Sequence, residues 1–144
     1  MSLPRYRFEG LTLTVGNIER SLDFYGQKLG LIVEINAAPD FALIRINGNT
    51  GGGTIGLLSS SRAAAEGAEE TTARQKRSIH IEFSTDDLDG LHKELLARGV
   101  RFHEPPHDEP WERSMTAFDP DGYAVEFAQG RRGKNATNRG PVRL

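Results

Sequence analysis

The sequence contains no cysteine. Disulfides, thiolate metal centres and a cysteine nucleophile are therefore excluded, and any metal would be held by His, Asp, Glu or water. Long apolar runs are missing as well. None approaches the roughly 20 residues that a membrane-crossing helix needs, so no membrane partner is expected. The opening MSLPRYRFEG lacks the apolar stretch of a secretory signal, and a cytoplasmic protein is expected. A basic body is also lacking. The net charge is −2, yet Arg131, Arg132, Lys134, Arg139 and Arg143 cluster in residues 130–144 with no acid among them. The remainder is thus distinctly acidic, which argues against nucleic acid as a partner. The tail 130–144 reads as a basic, disordered terminus.

What is present is enough chain, 144 residues, for one domain around one core. From Arg7 to Val15 the residues alternate, with Leu11, Leu13 and Val15 on one face and Gly10, Thr12 and Thr14 on the other, which predicts a half-buried strand. Asn17 is placed to cap a helix whose apolar stripe is Ile18, Leu22, Tyr25 and Leu29, with Gly30 as its stop. Residues 31–34, 41–46 and 54–58 read as strands. A polar, Ala- and Glu-rich connection with room for a short exposed helix follows over 60–76.

The plan then repeats. Ile81 and Phe83 alternate with His80, Glu82 and Ser84; Asp86 or Asp87 caps a helix carrying Leu88, Leu91 and Leu95; and Gly99 ends it. Strands are predicted over 100–103, 115–118 and 123–128, the last two joined by Asp119-Pro120-Asp121-Gly122, a type I turn sequence. A shift of 70 residues carries Leu11 to Ile81, Leu13 to Phe83, Asn17 to Asp87 and Ile18 to Leu88. Such self-similarity implies two copies of one supersecondary unit. The fold class is α+β, two βαβββ modules forming curved mixed sheets with a cleft between them. Module one spans about 7–59 and module two about 77–129, within a single domain 1–129.

The face of module two turned away from its helix carries His80 on the first strand and Glu126 on the last. An imidazole and a carboxylate so placed are half of a divalent metal site. Without metal, the pair would raise the histidine pKa, lower that of the carboxylate, and serve as a general base. His92 reads as partly exposed beside its helix stripe. His103 and His107 read as loop residues of an irregular segment 102–111, in which Trp111 with Pro105, Pro106 and Pro110 reads either as a rigid cleft lining or as simple packing.

Three stretches together resemble the vicinal oxygen chelate superfamily of glyoxalases, bleomycin resistance proteins and extradiol dioxygenases. Residues 10–30 resemble the opening of one module, His80-Ile81-Glu82-Phe83 the opening of the second, and residues 119–127 its close. The resemblance implies a homodimer and a small-molecule ligand in the cleft. It also implies a divalent metal (Mn, Fe, Ni or Zn) on first and last strands, with His80 and Glu126 as both metal-binding and catalytic residues. The matching positions of module one, Gly10 and Gly56, supply no ligand. Gly10, Thr12, Gly56, Glu82 and Trp111 are the further candidates for the substrate cleft. Two functions are carried forward. One is a lyase or dioxygenase of glyoxalase type with a degenerate metal site. The other is a metal-free drug- or metabolite-binding protein that sequesters its ligand.

Overall fold

The alternation of apolar and polar residues becomes strand in both halves of the computed structural model, which describes residues 5–46, 53–67 and 71–130. The chain divides into two compact units, Met1–Thr71 and Thr72–Leu144.

In the first unit, β1 (Gly10–Val15) leads into α1 (Ile18–Leu22), which continues as a π-helical turn, Asp23–Lys28; β2 (Ile32–Ala37), β3 (Phe41–Arg45), β4 (Thr54–Ser59) and α2 (Ser60–Ala65) follow. The sheet order is β1-β4-β3-β2. β1 and β4 run parallel, whereas β3 is antiparallel to both of its neighbours. α1 packs on β3 and β4. Asn17 caps it, its side chain accepting from the N–H of Arg20 at 2.9 Å, and Gly30 takes φ 77°, a left-handed stop that glycine adopts without strain. The predicted stripe Ile18, Leu22, Tyr25, Leu29 is corrected here. The residues turned fully inward are Ile18, Ser21, Phe24 and Tyr25. The wide turn, with the Leu29 N–H donating to the Phe24 carbonyl at 2.9 Å, brings two adjacent aromatics to the core, where their rings meet edge to face.

The second unit opens with α3 (Ala73–Ser78), then β5 (His80–Ser84), α4 (Leu88–Ala97), β6 (Phe102–Asp108), β7 (Glu112–Phe118) and β8 (Ala124–Gly130). Its order, β5-β8-β7-β6, is the first sheet's order again. Leu11 stands opposite Ile55 and Ile81 opposite Val125, so the 70-residue shift read from the sequence holds for both strands of the parallel pair. α4, capped by Asp87, packs on β6, β7 and β8. Its Leu88 and Leu95 meet Met115, Ala117, Tyr123, Val125 and Phe127 in the buried layer. The predicted Asp119–Gly122 turn is present, with the Gly122 N–H donating to the Asp119 carbonyl at 3.0 Å.

One segment departs from expectation. The stretch predicted as an irregular loop after 103 is strand β6 to Asp108, with two breaks in its register against β7. Proline pairs argue against a central strand, but β6 is the sheet edge. There a missing N–H forfeits no ladder bond, and bulges absorb the extra residues. The connection also holds more structure than expected, since α2 packs on β1 and β4, and α3 packs on β8. The basic residues beyond 130 and Gly51-Gly52 lie outside the described residues. No helix among those described is long and apolar enough to cross a membrane.

Candidate functional site

Parallel pairing of β5 with β8 sets Glu82 directly opposite Glu126, and antiparallel pairing sets Thr116 on the other side of Glu126. Residues opposite one another in a ladder share a face, and here it is the face away from α4. His80 lies one step along the same face, its Nδ1 3.6 Å from Oε2 of Glu126. The two residues proposed from sequence are therefore brought together by the first and last strands of the module.

A cavity of about 290 Å³ opens over this face. His80, Thr116, Ala124 and Glu126 form part of its wall. β6 and the tight turn after it supply another part: His103, Glu104, His107, Glu109 and Trp111. Trp111 lines the cavity. His103 and His107 line it too, and are not loop residues. His103 leans on Phe118, with ring centroids 5.1 Å apart, and His107 Nε2 lies 3.1 Å from Glu109 and 3.4 Å from Glu104. The Pro105 carbonyl at His107 Nδ1, followed by the two carboxylates, raises the His107 pKa above its ordinary value. His92 is half-buried against Phe102. Glu82 shares the face without lining the cavity.

Arg77 also lines the cavity, and the sequence reading missed it. It sits on α3, whose start is fixed by a capping box. The Thr72 hydroxyl accepts from the Gln75 N–H at 3.1 Å, while the Gln75 side chain accepts from the Thr72 N–H at 2.8 Å. Lys76 next to it is half-buried, 4.0 Å from Asp121 Oδ1 and 5.8 Å from the centre of the Tyr123 ring. The spelling Thr-x-x-Gln before a basic run was the available signal.

Glu126 behaves differently from the sequence expectation. A histidine partner should lower its pKa, yet the pKa is raised. Burial comes first, and Glu82 and Glu112 add repulsion; together they outweigh His80. A carboxylate with a raised folded-state pKa stabilises the fold below its ordinary pKa of 4.5, and that contribution is lost as pH rises through the raised value. Glu126→Gln is accordingly expected to melt higher than the parent at neutral pH, with the difference shrinking as pH falls toward 4.5. Equal melting at every pH would refute the assignment.

The site offers fewer protein donors than a resident metal needs. His80 and Glu126 are two donors, and a catalytic zinc or non-haem iron takes three from protein. Among the described residues no group of three or more His, Asp or Glu side chains is placed to hold an ion. In the first unit, Gly10 and Gly56, the positions the family resemblance would make ligands, carry no side chain and stand in register with Thr54 and Thr12. Nor are they vacant places. A Cβ on Gly10 would collide with the Thr54 backbone carbonyl, and one on Gly56 would lie 2.7 Å from the Thr12 hydroxyl and 3.4 Å from the Phe41 ring. The residues present do not fit a resident metal.

Comparison with known proteins places these features in a family. The family model of the Glyoxalase/Bleomycin resistance protein/Dioxygenase superfamily matches residues 7–127. The uncharacterized protein YraH of Bacillus subtilis (strain 168) is 29% identical over 128 residues, covering 81% of this chain and 93% of that one. Among solved structures, a glyoxalase/bleomycin resistance protein/dioxygenase from Nocardioides is 25% identical with a TM-score of 0.74, over 99% of this chain and 92% of the other. TnmS3, an antibiotic binding protein from Streptomyces sp. CB03234, is 20% identical with a TM-score of 0.66, over 89% and 99% of the two chains.

Proposed function

On the premise that this chain belongs to the Glyoxalase/Bleomycin resistance protein/Dioxygenase superfamily, we propose that it binds a small organic molecule in the cavity of the second unit and holds it without a resident metal. The observation that carries this reading is the composition of the wall. Aromatic surface from Trp111, Phe118 and His103 stands beside two imidazole–carboxylate groupings, His80 with Glu126 and His107 with Glu104 and Glu109. A concave site where aromatic surface and convergent polar groups meet is the default place for a small molecule. The antibiotic-binding description of TnmS3 is consistent with such a role, though at 20% identity it shares the fold alone.

The metal-dependent lyase or dioxygenase is the second reading, and the His80–Glu126 pair is what favours it. The two separate cleanly. The purified chain is stripped with chelator, reloaded in turn with manganese, iron, nickel and zinc, and analysed for metal. The expected result is well under one equivalent per chain, unchanged by His80→Ala or Glu126→Ala. One equivalent lost in both variants would overturn the metal-free reading.

A further inference from the structure

We propose that the ligand of this cavity is an organic cation on an aromatic body, its positive group set at Glu126 and its ring against Trp111. The proposal rests on the binding function above and narrows it to a chemical class.

The first ground is the balance of charge on the wall. Glu104, Glu109 and Glu126 contribute three carboxylates, against one permanently cationic side chain, Arg77. Two of the three are already served, because His107 stands within 3.4 Å of Glu104 and 3.1 Å of Glu109. Glu126 is left with an imidazole 3.6 Å away and is only one-fifth exposed. Glu82 stands directly opposite it on β5, adding a further carboxylate to the same face. A ligand ammonium at this point would answer that concentration of carboxylates with a charge-assisted hydrogen bond. A ligand anion would meet the same field with the wrong sign.

The second ground is independent of charge. Trp111 is 65% exposed although it is the largest apolar side chain in the protein. It stands on the cavity wall, just after the Pro-rich strand β6. An indole face beside carboxylates suits a ring that carries a cation, through stacking and cation–π attraction. The volume, about 290 Å³, lies at the small end of ligand pockets, roughly 300–1,000 Å³. The molecule is therefore compact, with one ring system rather than several.

Trp111 is the single tryptophan of the chain, so intrinsic emission reads the cavity wall directly. Phenethylamine, 2-phenylethanol and phenylacetate are titrated at neutral pH; they share a ring and differ in charge. Phenethylamine is expected to perturb Trp111 emission with a Kd lower than that of the alcohol by about tenfold or more, the scale of a hydrogen bond to a charged group. Phenylacetate is expected to bind more weakly than the alcohol. Glu126→Gln, whose folding the melting measurement above checks, should bring the amine down to the alcohol's affinity. Amine and alcohol binding alike, a preference for phenylacetate, or an amine preference that survives Glu126→Gln would overturn the cation assignment and leave the binding function standing. If none of the three alters Trp111 emission at the highest soluble concentration, the binding function falls, and the ligand class with it.

Discussion

Asp119→Ala is expected to unfold the second unit's sheet more readily than any surface substitution, by about 3 kcal/mol. Asp119 is buried, at 4% exposure. Its Oδ1 accepts two backbone N–H groups, from Asp121 and Tyr123, both at 2.9 Å. Truncation leaves two donors without their acceptor, the Tyr123 N–H in a fully buried position. The same turn launches β8, so the loss is passed to the strand that carries Glu126. In a chain of this length a loss of that size lowers the melting temperature by roughly 10 °C. Asp119→Asn keeps an acceptor oxygen and should recover most of the stability. Denaturant unfolding of the three proteins checks this, and an alanine variant within about 0.5 kcal/mol of the parent, the usual effect of a surface change, would refute it.

Writing the two missing ligands back into the first unit should fail, and should be costly. Gly10→His with Gly56→Glu would complete the four-residue set that the family resemblance implies. At Gly10, however, the obstacle is main chain. The Thr54 carbonyl occupies the space, and the Thr54 N–H is bonded to the Glu9 carbonyl at 2.9 Å, so β1 and β4 would have to part at their start. At Gly56 the obstacle is the Thr12 hydroxyl, 2.7 Å from an added Cβ. Overpacking of this kind costs about 1–3 kcal/mol per site. The double variant is expected to melt well below the parent and to gain nothing when zinc or manganese is added, because a metal that binds only the folded form would raise the melting temperature. A metal-dependent rise would show that the strands yield, and that the glycines are simple losses rather than a settled alternative packing.

The strands that open each unit were the legible part of this protein. Leu11, Leu13 and Val15, and again Ile81 and Phe83, announce their strands through a period of two. Asn17 and Asp87 announce helix starts, Gly30 and Gly99 helix stops, and these are local signals that tertiary packing did not override. The juxtaposition of His80 with Glu126 followed from strand phase alone. Three features were not legible. The π turn after α1 is a hydrogen-bond choice within one apolar run, and period counting does not register it. Strand β6 was hidden because Pro105-Pro106 is forbidding in a sheet interior and harmless at an edge, and edge position is a property of the whole sheet. The sign of the Glu126 shift depended on Glu82 and Glu112, which come from different strands and meet only after folding.

The uneven strand β6 has a wider consequence. The parallel pairs β1–β4 and β5–β8 keep one register between the two units. The outer hairpins do not: β2 breaks register against β3 once, whereas β6 breaks against β7 twice and turns His103, His107 and Trp111 onto the cavity. Each unit thus combines a conservative frame with a permissive margin. Length changes at the margin can remodel the cavity wall while the frame, its caps and its core go on specifying the same fold. On the proposed binding function, a change of ligand would require only the edge hairpin to change, with no new solution to the folding problem.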